Sequence, residues 1–220
     1  LTKLYQDGPL VSEYIYDDNN KLAELKTYYQ DSLIRTETFT WNAQNRLAGR
    51  SYDDWVETFT YNSNGQISKF KKLYTKTGKT WEEEYHYDPQ TGQIDKGVSY
   101  FDGQKNAILQ YQYDSFGNAI TRKEISTVEE NLIITEYRLA FDNRLNPFPM
   151  STPPDMAQVN NIKSYYYYNI VMSSMPPEYE AEFTYKSPGL PVKETRIYKY
   201  NPTPVMYEYV YITKKPTVYH

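Results

Sequence analysis

Few residues in this chain are of types that do chemistry at neutral pH. Cysteine is absent and histidine occurs only at His86 and His220. That removes thiol catalysis, a disulfide framework and cysteine metal sites. His86 lies between Tyr85 and Tyr87, so in a strand it faces away from that aromatic pair and reads as an ordinary strand residue rather than a base or ligand. No glycine-rich phosphate loop, nucleophile elbow or His-x-x-x-His spacing occurs, and no cofactor or metal site is expected. Carboxylates remain, because glycoside hydrolysis needs only two positioned acids. Glu82, Glu83 and Glu84, like Glu129 and Glu130, are adjacent in sequence, which in strands sends neighbours to opposite faces. A distant pair could converge, but spacing singles none out.

Aromatic residues offer binding rather than catalysis. Trp55 and Trp81 follow turns at Asp53-Asp54 and Thr77-Gly78, where an indole could stack on a sugar or seal the end of a sheet. The run Tyr165-Tyr166-Tyr167-Tyr168 puts two rings on each face of a strand. It suits a strand buried partly on both sides, with an aromatic binding strip as the alternative. The candidate ligand-binding residues are therefore Trp55, Trp81, Tyr166 and Tyr168. Lys69, Lys71 and Lys72 read as a solvated strand face rather than a phosphate track.

These residues must be positioned by a repeat. Tyr14-x-Tyr16-Asp17, Phe39-x-Trp41-Asn42, Phe59-x-Tyr61-Asn62, Tyr85-x-Tyr87-Asp88, Tyr111-x-Tyr113-Asp114 and Leu139-x-Phe141-Asp142 share one pattern. Spacings of about 20–28 residues fall in the range of architectural repeats. Aromatics at i and i+2 share a strand face, and the following Asp or Asn opens a turn by accepting backbone hydrogen bonds. A Gly or Asn three residues later takes the left-handed conformation of a three-residue hairpin with a bulge. This register sets Tyr16 opposite Leu22, Trp41 opposite Leu47 and Tyr61 opposite Ile67. A second series of turns includes Asp102-Gly103 and Glu129-Glu130-Asn131.

The expected fold is all-β: one domain over residues 1–220, an antiparallel meander of about 14–16 strands built from hairpin repeats of about 26 residues. A closed or strongly curled barrel-like sheet is favoured over an open single layer. In Gln66–Tyr74, alternation puts Ile67, Lys69, Lys71 and Leu73 on one face and Ser68, Phe70, Lys72 and Tyr74 on the other. An edge strand is expected around Leu4-Tyr5. The rhythm breaks over residues 142–163, a connection with Pro147, Pro149, Pro153 and Pro154 and one helical turn near Pro154–Val159. A strand resumes at the tyrosine run, and the chain closes through Phe183–Tyr185, Val192–Tyr200 and the alternating Tyr207, Tyr209 and Tyr211.

Composition narrows function. The 220 residues include 26 Tyr, mean hydropathy is −0.81 and net charge is −4 with both signs interspersed. No basic block supports nucleic-acid binding. No apolar run approaches the roughly 18 residues of a membrane helix. A lipid-facing barrel needs an apolar residue at every second position, which Lys69, Lys71, Lys96, Arg122 and Glu124 interrupt. Leu1 suggests a trimmed mature fragment.

The Tyr-x-Tyr-Asp pattern followed by Gly and an aliphatic residue resembles the YD repeats of bacterial Rhs-type surface and toxin-shell proteins. Phe141-Asp142-Asn143, Asn146-Pro147-Phe148, Asn160-Asn161-Ile162, Phe183-Thr184-Tyr185 and Gly189-Leu190-Pro191-Val192-Lys193-Glu194 together resemble a family of secreted Gram-negative lipoproteins, a domain of unknown function with a porin-like fold. That resemblance covers nearly the whole chain. It implies an all-β meander, export to the periplasm or outer-membrane surface, and a lipid anchor on a cysteine lost from this fragment. It transfers no catalytic or binding residue. Asn20 and Asn45 stand where the repeat has Gly, and Lys186 where it has Asp. The expected function is a non-enzymatic surface or periplasmic module for a glycan or protein ligand, without nucleic acid and without membrane insertion. The alternative is a carboxylate-dependent glycan-processing enzyme.

Overall fold

The computed structural model describes residues 2–129, 131–145, 160–169, 179–186, 190–199 and 201–211, with the side chains of 142–145, 160–169 and 202 outside that description. The hairpin units come first. They are β2 (Leu10–Tyr16) with β3 (Leu22–Tyr29), β4 (Ser32–Trp41) with β5 (Leu47–Tyr52), and β6 (Trp55–Tyr61) with β7 (Ile67–Tyr74). Then follow β8 (Thr80–Tyr87) with β9 (Ile94–Phe101), and β10 (Gln104–Tyr113) with β11 (Ala119–Ser126). Before them runs β1 (Lys3–Gln6); after them come β12 (Ile133–Leu145), β13 (Asn160–Asn169), β14 (Tyr179–Lys186), β15 (Leu190–Tyr198) and β16 (Asn201–Val210).

All pairings are antiparallel between neighbours in sequence, and β1 also pairs with β16 through Lys3↔Val210 to Gln6↔Tyr207. Thus β1 has partners on both sides, where an edge strand is expected. The thinnest seam lies between β13 and β14, with two residue pairs, Ser164↔Glu180 and Tyr165↔Tyr179.

Turn chemistry fixes the register. Tyr16 faces Leu22, Trp41 faces Leu47 and Tyr61 faces Ile67, each just past a bulge. Asn42 Oδ1 accepts the amides of Gln44 at 3.0 Å and Arg46 at 2.9 Å. Asp114 Oδ1 accepts those of Phe116 and Asn118, each at 2.9 Å. Asn20 and Asn45 take φ of 63° and 64°, the same left-handed region as Gly65 and Gly117. Asn substitutes for Gly there because its short polar side chain tolerates that conformation.

A carbonyl beside each bulge accepts a side-chain hydrogen bond from the next unit. Trp41 Nε1 donates to Leu22 O at 2.9 Å, Tyr61 Oη to Leu47 O at 2.7 Å and Tyr87 Oη to Ile67 O at 2.7 Å. Tyr113 Oη reaches Ile94 O at 3.3 Å. The second aromatic in these units is therefore Tyr or Trp, while the first tolerates Phe39 or Phe59. A buried carbonyl without a partner would cost about 1–3 kcal/mol.

Three further expectations change. Ile67 packs against buried Phe70 rather than sharing a face with Lys69, because the bulge displaces the alternation by one residue. Arg122 and Glu124 are buried rather than outward. The connection expected over 142–163 is shorter: β12 continues through Leu145 and β13 begins at Asn160. No proline removes a ladder N–H before Pro147, so the strand can resume after its irregularity near Phe141. The helical turn expected near Pro154–Val159 lies outside the described residues.

Candidate functional site

The buried face changes chemistry along the strands. Next to the hairpin tips it is apolar, with Phe70, Tyr85, Ile94 and Leu109 as its centre. One layer further it is ionic: Glu37, Glu57, Glu83, Glu124, Glu136, Glu194 and Arg122 are all buried. Four of these acids pair with a guanidinium two residues away on the same strand face. Arg35 reaches Glu37 at 2.9 Å, Arg122 reaches Glu124 at 2.5 Å, Arg138 reaches Glu136 at 2.9 Å and Arg196 reaches Glu194 at 2.5 Å. The i, i+2 spacing in a strand is itself a sequence signal for such pairs. Sequence reasoning that weighed only adjacent acids missed it.

Trp55 opens β6 in the largest of these clusters. Arg35 Nη2 holds Glu37; Arg50 Nη1 lies 3.8 Å from Glu37 and its Nη2 2.6 Å from Glu57. The Lys72 ammonium sits over the Trp55 ring and 3.7 Å from Glu57 Oε1, too long for a hydrogen bond. Glu57 Oε1 and Arg35 Nε are buried atoms without a hydrogen-bond partner. Rings alternate with the cations: Arg35 lies 4.8 Å from the Tyr52 centroid, and the Tyr52 and Trp55 rings meet edge to face at 4.3 Å. Burial pushes the Lys72 amine down to about 8, with Arg50 adding to the fall and Glu57 opposing it. Burial, and the nearby charge of Glu37, push the Tyr14 hydroxyl up to about 12. Lys72 is thus not part of a solvated lysine face; Lys69 and Lys71 are, and they hold Glu82 at 2.7 and 2.8 Å on the opposite side of the sheet.

Trp81 is placed differently. Its Nε1 donates to Glu83 Oε1 at 2.8 Å, while Tyr85 Oη donates to Oε2 at 2.5 Å and Arg122 Nη2 approaches Oε1 at 2.8 Å. The indole is packed against the apolar cluster and locks a fully buried ion pair. Tyr166 and Tyr168 pair through their backbones with Arg138 and Glu136 of β12; their side chains lie outside the described residues, as does His220. The structure brings Trp55 into a polar cluster and leaves Trp81 in a separate one. His86 is exposed, beside an open depression of ≈ 390 Å³ lined by Asn62, Gln66, Ser68, Asp88 and Gly92. A third ionic cluster lies on β14–β16, where Arg196 is held between Tyr179 and Tyr207 and Tyr209 Oη donates to Glu194. Among the described residues no group of His, Asp or Glu is arranged to hold a metal ion.

The fold has counterparts. A porin-like protein from Bacteroides uniformis is similar at 11% identity over 94% of each chain, with a TM-score of 0.55. A second porin-like protein, from Bacteroides vulgatus, aligns over 96% of this chain and 98% of its own at 8% identity and a TM-score of 0.40. The Photorhabdus luminescens Tc holotoxin pore aligns over 90% of this chain and 12% of that one at 13% identity, with a TM-score of 0.28. No family model matches the chain, and no curated protein matches it by sequence. At this identity the first likeness defines an all-β antiparallel meander similar to the porin-like protein, and nothing finer.

Proposed function

We propose that the chain is a non-enzymatic binding or scaffold module, a barrel-like shell carried as a lipoprotein in the periplasm or on the outer-membrane surface, with a glycan or protein ligand. The observation that carries this reading is how the buried acids are used. Glu37 and Glu57 meet on the single guanidinium of Arg50 instead of flanking an open space for a glycosidic bond, as a pair of catalytic carboxylates must. Glu83 is similarly consumed by Trp81, Tyr85 and Arg122.

The opposite face supports a module that does not insert in lipid. Lys69, Lys71, Glu82 and Glu84 form an ion-paired strip there, where a lipid-facing barrel carries alternating apolar residues. No helix of the described residues is long and apolar enough to cross a membrane, which leaves strands untested. A glycan and peptide array probed with the purified protein and with Trp55→Ala and Trp81→Ala variants tests the reading. Binding lost with Trp55→Ala is expected. A silent array reduces the protein to a structural role, and a requirement for detergent in solution overturns the placement outside the bilayer.

A further inference from the structure

The cluster at Trp55 is incomplete in a way that specifies a ligand. The chain Arg35–Glu37–Arg50–Glu57 runs across β4, β5 and β6 and ends on two unmet atoms, a donor at Arg35 Nε and an acceptor at Glu57 Oε1. The Glu57 side chain is 2% exposed. An unmet carboxylate oxygen at that depth is rare, since a buried acceptor without a partner is costly. Every other buried side-chain polar atom among the described residues has a partner.

Charge points the same way. With Lys72 included, three cations face two carboxylates, a surplus of one positive charge. An exposed residue borders the cluster at either end: the Arg35 side chain is 37% exposed, and Tyr74, 36% exposed, has its ring 5.4 Å from Lys72 Nζ. Lys72 lies over the Trp55 ring and meets Glu57 Oε1 only as a long ion pair at 3.7 Å. Its four-carbon stem is flexible, and its withdrawal uncovers an acceptor and an indole face together.

We propose that this cluster, across the face between Arg35 and Lys72, binds a small monoanionic polyol, for which a hexuronic acid is the simplest chemical form. The ligand carboxylate accepts from Arg35 and from the displaced Lys72, a hydroxyl donates to Glu57 Oε1, and the sugar ring lies on the Trp55 face that Lys72 vacates. This assignment rests on the reading of the chain as a binding module and names the ligand class for it.

Calorimetric titration of the full chain at pH 7 with D-glucuronate, D-glucose and acetate tests the assignment, with tryptophan fluorescence followed in parallel. Saturable glucuronate binding is expected, at least tenfold tighter than glucose or acetate, with a fluorescence change that Trp55→Phe removes. Arg35→Gln and Glu57→Gln each weaken it about tenfold, the loss of one charge-assisted hydrogen bond. If Glu57→Gln does not fold, the half-exposed Arg35→Gln decides alone. Equal affinity for acetate, no saturable glucuronate binding, or indifference to Arg35→Gln overturns the assignment. A neutral glycan or peptide bound on the array independently of Arg35 overturns it while sparing the binding-module reading; silence in both experiments overturns both.

Discussion

Arg122 shows how much a single side chain decides on the buried face. It is fully buried, and it neutralises Glu83 at 2.8 Å and Glu124 at 2.5 Å from two different strands. Replacing it by methionine keeps most of the volume but strands two carboxylates in a place water does not reach. Arg122→Met should destabilise by about 3–5 kcal/mol, the usual cost of removing one partner from a buried pair. Chemical denaturation reads the loss, and adding Glu83→Gln and Glu124→Gln should recover much of it; a loss below about 1 kcal/mol would mean the network is hydrated. This residue was legible only as a charge interrupting a strand. Its true direction depends on the bulge at Tyr113↔Ala119, which shifts every later residue of β11 to the other face relative to strict alternation.

At the scale of one hairpin unit, the turn was readable and its latch was not. Asp or Asn, then Gly or Asn three residues on, dictates the bulged register because each local preference has only one economical solution. The polar tip of the second aromatic is a different matter. Its acceptor lies in the preceding unit, at Leu47 for Tyr61 and at Ile67 for Tyr87, and that contact exists only once the last strand of one unit pairs with the first of the next. Tyr61→Phe should lower stability by about 0.5–1.5 kcal/mol while leaving the ring packed. The same change at a position whose hydroxyl is solvated should cost almost nothing. Amide exchange around Leu47 localises the effect, and an unchanged exchange pattern would show that the hydroxyl contributes only through its ring. The same cross-strand dependence hid the Trp55 cluster. Trp55 could be marked from its place after a turn, but the arrival of Lys72 requires the pairing of β6 with β7, Glu57↔Lys72.

The whole molecule carries an alkaline signature. The folded-state value of Lys72 is about 8, below its ordinary 10.5, so between those values the unfolded chain binds the extra proton and stability rises with pH. Tyrosines act in the opposite sense. Burial raises Tyr14 and Tyr211 to about 12 and also raises Tyr179, Tyr207 and Tyr209. Their contribution is complete below about 10 and is lost as pH climbs through the folded-state values. Urea midpoints should therefore increase from pH 8 towards 10 and fall beyond it. Lys72→Met should flatten the rise and keep the fall. A monotonic decline from pH 8 in the native chain would place the Lys72 amine in solvent.

The latches also give the polypeptide a direction. In each one the acceptor belongs to the earlier repeat and the donor to the later: Leu22 waits for Trp41, Leu47 for Tyr61, Ile67 for Tyr87 and Ile94 for Tyr113. A chain threaded N-terminus first can therefore finish each hairpin only after 14 to 20 further residues have emerged. Maturation trails elongation by that interval, and an interrupted nascent chain leaves the latch carbonyl of its newest hairpin unquenched. That growing tip, rather than the finished sheet, is where a chaperone would find something to hold.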